Sequence, residues 1–120
     1  MSESIVGKES FEFAIHIVNF YKKFSVEKKE YILSKQILRS GTSIGANVRE
    51  ALNAQSKMDF IHKLSISQKE CDETIYWLEL LFATQYISKE EFENLKNQAS
   101  QLLKIIRSII ITTKNKTHNL

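Results

Sequence analysis

Apolar residues recur along the chain at intervals of three and four positions, the spacing of one buried helix face. The first such segment predicts a helix from about Ser10 to Phe24. Its predicted core positions are Ala14, Ile17, Val18 and Tyr21, with a second apolar edge at Phe13, Phe20 and Phe24. Because one stripe is enough for a helix in a monomeric bundle, this face is wider than the fold requires.

A second helix is predicted from a cap at Ser25 to about Asn53, with Glu27 in its first turn. Its apolar positions are Tyr31, Ile37, Leu38, Ile44, Val48 and Ala51. Gly41 and Gly45 lie inside this helix, where each costs about 1 kcal/mol relative to alanine. We therefore expect another helix to approach closely at these two glycines.

Two further helices have serine caps. Ser56 precedes a heptad seam, and Ser88 with Glu91 forms a capping box. The seam of the third helix comprises Ile61, Leu64, Gln68, Cys71, Ile75, Leu78 and Phe82, with Ile66, Trp77 and Leu81 beside it. The core positions of the fourth helix are Phe92, Leu95, Ala99, Leu102, Ile106 and Ile109, and its polar end after Thr112 is expected to fray.

Short connections between four helices predict an all-α fold, an antiparallel up-down-up-down four-helix bundle. We expect residues 10–112 to form the bundle, residues 1–9 an N-terminal extension, and residues 113–120 a flexible basic tail. The doubled apolar faces favour assembly of several copies.

Composition supports long helices with few breaks, because the 120 residues include no proline and three glycines. Turn-rich β-sandwiches and dinucleotide-binding folds need more of both. The single cysteine, Cys71, cannot form an internal disulfide, which favours a cytoplasmic location. We expect no secretion signal, because the first residues lack a basic segment followed by an apolar one, and no membrane span, because no apolar run is long enough to cross a bilayer.

The net charge of +3 is unevenly distributed. All 14 acidic and 12 basic residues lie before position 94, whereas five basic residues and no acid follow it. Such a basic end can attract RNA or DNA, and it can equally serve only to complement a helix C-terminus. The candidate nucleic-acid contacts are Lys104, Arg107, Lys114 and Lys116.

Arg39, Ser43, Asn47 and Glu50 form the other candidate site, because their spacing places them on one face of the second helix. They can form a binding site, or a hydrogen-bonded network that fixes helix packing or subunit register. We favour the network, with Glu50 able to accept a hydrogen bond from an arginine of a neighbouring chain.

Catalytic and metal chemistry finds little support in the sequence. Cys71 occupies a seam position, which predicts a buried, inert thiol. Asp59 and His62 resemble half of a bundle di-iron motif, but the second copy is missing and a surface pair is expected. We expect no cofactor, no metal, no small-molecule substrate and no enzyme activity.

The segment from Gln36 to Glu50 resembles the signature of the 23S rRNA intervening-sequence proteins, a bacterial family whose pattern is roughly Q-I-x-R-x-x-x-S-I-x-A-N-I-x-E-G. The matching residues are Gln36, Ile37, Arg39, Ser43, Ile44, Ala46, Asn47 and Glu50, and the departures are Gly45, Val48 and Ala51. Residues 57–66 and 70–81 resemble the third helix of the family.

The resemblance implies an antiparallel four-helix bundle that assembles as a ring, commonly a homopentamer. The biochemical role of the family is poorly defined. We therefore expect a non-enzymatic oligomeric scaffold or interaction protein, with a nucleic-acid-binding ring, for RNA or DNA, as the alternative.

Overall fold

The computed structural model describes residues 4–118, which form four α-helices and no strand. The helices are α1 (Ile5–Lys28), α2 (Leu33–Leu52), α3 (Lys57–Ala83) and α4 (Lys89–His118). Each helix contacts its neighbours in the chain, and α4 also contacts α1. The four helices therefore enclose one core, which confirms the all-α prediction.

Three of the helices begin at a serine whose hydroxyl accepts a backbone N–H from the first turn. Ser56 accepts from Asp59 at 3.0 Å and Ser88 from Glu91 at 3.1 Å, which confirms both predicted caps. Ser4 accepts from Gly7 at 3.1 Å, so α1 begins five residues before the predicted start at Ser10. Each bond satisfies an N–H that has no partner within its helix.

The predicted cap at Ser25 is wrong. This serine lies buried within α1, where its hydroxyl donates to the carbonyl of Tyr21 at 2.7 Å. The helix continues to Lys28 and ends at Lys29, whose φ of 51° is left-handed. The start of α2 is instead held by Glu30, whose carboxylate accepts the N–H groups of Leu33 and Ser34 at 3.0 and 2.9 Å. A side chain three residues before the helix thus replaces the usual serine cap.

The core is a single apolar cluster with contributions from all four helices. Its fully buried side chains include Phe13, Ile17, Ile37, Ile44, Val48, Leu64, Cys71, Leu78, Leu81, Leu102 and Ile106. Buried serine and threonine side chains also belong to this core. Ser67 donates to the carbonyl of Ile44 at 2.8 Å, and Thr74 lies 2.9 Å from the hydroxyl of Ser40.

Some predicted core positions lie elsewhere. In α1 the buried stripe comprises Phe13, Ile17, Phe20 and Phe24, so the predicted second edge faces the core. Val18, a predicted core position, is 38% exposed. In α3, three predicted seam residues lie outside the buried core, since Gln68 and Ile75 are half-buried and Phe82 is exposed. The corresponding core positions are occupied by Ser67, Thr74 and Leu81. The spacing of apolar residues at three and four positions was identified correctly in α1 and α3. Because both edges of these two helices are apolar, the spacing alone did not show which edge is buried.

The two glycines of α2 mark the closest approach of α1, as predicted. A Cβ at Gly41 would lie 2.8 Å from Cγ1 of Ile17, and a Cβ at Gly45 would lie 3.1 Å from the carbonyl oxygen of Ser10. Real Cβ atoms do not tolerate the first distance, so glycine is required for α1 to pack at this depth.

The chain ends are more helical than predicted. Residues 5–9, expected to form an extension, belong to α1, and α4 continues past position 112 to His118. Residues 1–3 and 119–120 of the predicted extension and tail lie outside the described residues. None of the described helices combines the length and low charge needed to cross a bilayer.

Candidate functional site: a polar network, a basic helix face and an apolar groove

The structure places Arg39 between α2 and α3. Its guanidinium donates to Gln36 on its own helix at 3.4 Å, and to Glu70 at 3.4 and 3.5 Å and Glu73 on α3. Glu73 in turn accepts the indole N–H of Trp77 at 3.2 Å. The network therefore joins two helices of one chain through an arginine and two carboxylates.

The remaining residues of the predicted stripe also bond within the chain. Ser43 donates to the carbonyl of Arg39 at 2.6 Å, and Asn47 donates to the carbonyl of Ser43 at 2.9 Å. Glu50 pairs with Lys63 on α3 at 3.0 Å, and this hydrogen bond and charge raise the pKa of Lys63. The four residues thus share one face of α2 and bind along that helix or across to α3.

The pKa of Glu70 is shifted by its position in this network. Burial raises the pKa of its carboxyl, Arg39 opposes that shift, and the hydrogen bond and charge of Glu73 add to it. A neighbouring carboxylate favours the protonated form of Glu70, whereas the guanidinium favours its charged form. This arrangement fits a packing network between α2 and α3, the interpretation favoured from the sequence.

The predicted basic residues lie exposed on α4. Lys104, Arg107 and Lys114 are spaced by three and seven positions, so they share one side of the helix, and Lys116 follows a half-turn later. Arg107 lies 3.9 Å from Asp72 on α3. Beyond Glu93 the helix carries no acid, so this side of α4 is continuously positive or neutral.

A groove of about 890 Å³ lies between α1 and α2, a feature that the sequence analysis did not identify as a site. Small, apolar and charged side chains line it. The small residues are Ala14, Thr42, Gly45 and Ala46, the large apolar ones Phe11, Ile15 and Leu52, and the charged ones Lys8, Glu12, Arg49 and Glu50.

Arg49 partly covers this groove, because its guanidinium lies 5.5 Å from the centre of the Phe11 ring. The sequence does contain one signal for this surface. Phe11, Ile15 and Val18 are spaced by four and three positions and lie on a different face of α1 from the core stripe. With exposed fractions of 53, 44 and 38%, these side chains form an apolar stripe on the outside of α1, called here the outer stripe.

The remaining chemical candidates offer no reactive constellation. Cys71 is buried as predicted, and burial raises the pKa of its thiol to about 12. His16 is exposed, with Nδ1 2.6 Å from the side-chain oxygen of Gln98. Among residues 4–118, no three His, Cys, Asp or Glu side chains are grouped so as to hold a metal ion.

Comparison with known proteins agrees with the resemblance seen in the sequence. The chain is similar to a protein of unknown function from the S23 ribosomal protein family of Bacteroides thetaiotaomicron VPI-5482, whose crystal structure was determined at 1.70 Å resolution. The two are 56% identical and superpose with a TM-score of 0.87 over 88% of this chain and 98% of that one. No curated protein matches the chain. A family profile described as 23S rRNA-intervening sequence protein matches residues 2–108, and the chain therefore belongs to that family.

Proposed function

We propose that the protein is a homo-oligomeric helical-bundle scaffold that acts through binding rather than catalysis. The observation that carries this proposal is the outer stripe of α1 beside the apolar groove between α1 and α2. Removing apolar surface from water stabilises an association by about 25 cal/mol per Å², and these side chains still expose about half of their surface. A continuous exposed stripe of this kind is typical of an interface.

The proposal includes an up-down-up-down antiparallel arrangement of the four helices. Contacts between α2 and α3 support it, because Ile44 pairs with Ser67 whereas the earlier Ser40 pairs with Thr74. Contacts between α3 and α4 follow the same reversed order, with Asp72 near Arg107 and Glu79 near Lys96.

The assembly that we propose is a closed ring, with five copies as the family resemblance implies. A ring repeats one contact between unlike surfaces of neighbouring copies, so each subunit is held from two sides. The same proposal puts the protein in the cytoplasm, where a free thiol such as Cys71 persists.

The experiment for this proposal is the mass of the particle in solution, measured by sedimentation equilibrium over a wide concentration range. We expect a mass several times that of the 13.9 kDa chain. A variant with both Phe11 and Ile15 changed to serine should shift towards the monomer while keeping its helical circular dichroism, because both side chains are exposed in one chain. A wild-type protein that stays monomeric throughout would contradict the proposal.

A second candidate function, binding of RNA or DNA by the assembled ring, is favoured by the basic side of α4. Lys104, Arg107 and Lys114 are exposed on a helix without acids beyond Glu93. A ring repeats this side in every subunit, and repetition raises the overall affinity for a polyanion.

Retention of a labelled RNA or DNA strand at increasing salt tests this second function. We expect binding to weaken steeply with salt and to be lost when Lys104 and Arg107 are both changed to glutamate. The matched control changes Lys22 and Lys23, two exposed lysines of α1, to glutamate and should bind better than the α4 variant. Equal loss in both variants, or no retention by the wild type at low salt, would contradict nucleic-acid binding through α4.

A further inference from the structure

We infer that the connection between α1 and α2, together with the last turn of α1, docks on the surface of a lipid bilayer that carries anionic headgroups. This segment, residues 26–32, is called here the α1–α2 tip. The contact is peripheral, because none of the described helices is long and apolar enough to cross a bilayer. It needs only one chain, so it holds whether or not the proposed homo-oligomer forms.

The α1–α2 tip exposes three large apolar side chains within seven residues. Val26 in the last turn of α1 is 69% exposed, and Tyr31 and Ile32 in the connection are 50 and 76% exposed. The bundle is 53 Å long and 24 by 23 Å across, so its helices run along the long axis and this connection lies at one end. Apolar side chains at such an end can enter the boundary between headgroups and acyl chains, where tyrosine is also favoured.

Exposed lysines surround these apolar side chains. The stretch from residue 22 to residue 35 contains five lysines and two acids, so its net charge is +3, the same as that of the whole chain. The lysines are Lys22, Lys23, Lys28, Lys29 and Lys35, and the acids are Glu27 and Glu30. Each lysine near an anionic bilayer strengthens binding about fivefold, and its long stem lets the charge stay among the headgroups while apolar neighbours lie deeper.

One of the two acids is held within the chain. The Glu30 carboxylate accepts the backbone N–H groups of Ile32, Leu33 and Ser34 at 3.2, 3.0 and 2.9 Å. These bonds hold the carboxylate against the positive end of α2, so it offsets the lysines only weakly. They also fix the backbone at Ile32, so the tip is ordered before it meets a membrane and docking costs little chain entropy.

The combination of apolar and basic side chains favours a bilayer over a polynucleotide. A nucleic acid would satisfy the lysines but leave Val26 and Ile32 in water, whereas an anionic bilayer satisfies both. Within residues 4–118, α4, whose first turn carries Glu90 and Glu91, does not contact α2, so these two acids do not adjoin Ile32.

Sedimentation with lipid vesicles tests this docking. We expect the wild type to bind vesicles made of equal parts of phosphatidylcholine and phosphatidylserine, to dissociate from them as salt is added, and to leave vesicles of phosphatidylcholine alone in solution. Absence of binding to the anionic vesicles at low salt would overturn the proposal, without bearing on the mass of the particle.

The apolar contribution is tested by changing Val26 and Ile32 together to serine. Vesicle binding should fall at least about tenfold, because the apolar surface that enters the bilayer is lost. The fold should be retained, since both side chains are exposed and serine is preferred at the helix N-cap, the position of Ile32. The matched control changes Ile5 and Met58, two highly exposed residues in the first turns of α1 and α3, to serine and should bind like the wild type. Equal losses in the two variants would overturn docking through the tip.

The charge contribution is tested by a pair of double reversals. Changing Lys28 and Lys29 to glutamate should weaken vesicle binding at least about tenfold, whereas the same reversal at Lys104 and Arg107 of α4 should leave it nearly unchanged. The opposite ranking would assign vesicle binding to α4 and overturn the proposal.

Insertion of the tip itself is read from tryptophan fluorescence. The wild type has a single tryptophan, Trp77, so Ile32→Trp adds a second reporter at the tip. Its emission should shift to the blue when anionic vesicles are added, relative to the wild type. An unshifted emission from vesicle-bound protein would show that the tip stays in water and would also overturn the proposal.

Discussion

Gly41 and Ile17 lie in direct contact, with 2.8 Å between Cγ1 of Ile17 and the position that a Cβ on Gly41 would occupy. Both residues are buried at the crossing of α1 and α2. The contact fixes how deeply α1 packs, and the depth of that packing in turn defines the groove between the two helices. A buried glycine thus links the core to the surface on which the proposed assembly depends.

Gly41→Ala is therefore expected to destabilise the fold, although alanine is the better helix former by about 1 kcal/mol. The added methyl group has to displace Ile17, and overpacking of this kind costs about 1–3 kcal/mol. We expect a lower free energy of unfolding in chemical denaturation. Gly7→Ala is the matched control, since its Cβ would lie 3.2 Å from the flexible end of the half-exposed Leu52 and at an ordinary contact distance of 3.4 Å from Ser4, and it should be neutral or stabilising. Equal effects of the two substitutions would contradict this packing.

The end of α3 stores strain at Gln85, a non-glycine residue with a left-handed φ of 66°. Tyr86 donates its backbone N–H to the carbonyl of Leu81 at 2.9 Å and so closes the helix end. Gln85→Gly should raise the melting temperature, because a left-handed backbone costs a residue with a Cβ about 1–2 kcal/mol. Gln101→Gly, on the exposed part of α4, should lower it by the ordinary cost of glycine within a helix. If both variants lowered the melting temperature, the strain at Gln85 would be absent.

The buried hydroxyls of Ser40 and Thr74 should behave as a coupled pair. They lie 2.9 Å apart between α2 and α3, and Thr74 also lies 2.8 Å from the carbonyl of Glu70. Thr74→Val is expected to cost about 1–3 kcal/mol, because it leaves the Ser40 hydroxyl buried without this partner. Combining it with Ser40→Ala should recover part of the loss in a double-mutant cycle. Strict additivity would mean that the two hydroxyls do not interact.

Glu70 and Glu30 are predicted to contribute to the pH dependence of stability with opposite signs. Burial, partly offset by Arg39 and reinforced by Glu73, raises the pKa of Glu70, so its favourable contribution exists at low pH and is lost as the pH rises through that pKa. For Glu30, burial is outweighed by the N–H groups of Leu33, Ser34 and Ile32, which lower the pKa, so its contribution is lost as the pH falls.

Unfolding measured from acidic to neutral pH separates the two groups. Relative to the wild type, Glu70→Gln should become more stable as the pH rises, whereas Glu30→Gln should become less stable. The same pH trend in both variants would contradict these opposite shifts.

The sequence predicted the caps at Ser56 and Ser88 because those bonds are local to one turn of helix. The α1–α2 junction was predicted at the wrong position, because the Ser25 hydroxyl forms a hydrogen bond within its own helix and Glu30 caps α2 through a longer side chain. Burial of Ser67 and Thr74 could not be seen in a hydrophobic pattern, since their hydroxyls are satisfied by the partner helix or the preceding turn.

The candidate site was only partly predictable for the same reason. Helical spacing placed Arg39 and Glu50 on one face, but their partners on α3 depend on how the two helices pack. The groove was missed because it arises between two helices. The apolar residues Phe11 and Ile15 that line it were visible in the sequence, whereas their exposure was not.

The most direct test of the account is the sedimentation equilibrium mass of the wild-type chain beside that of the variant with Phe11 and Ile15 both changed to serine. We predict that the wild type forms a particle several times heavier than 13.9 kDa, five copies by family resemblance, and that the variant shifts towards a folded monomer. A wild-type mass of one chain at every concentration would contradict the account.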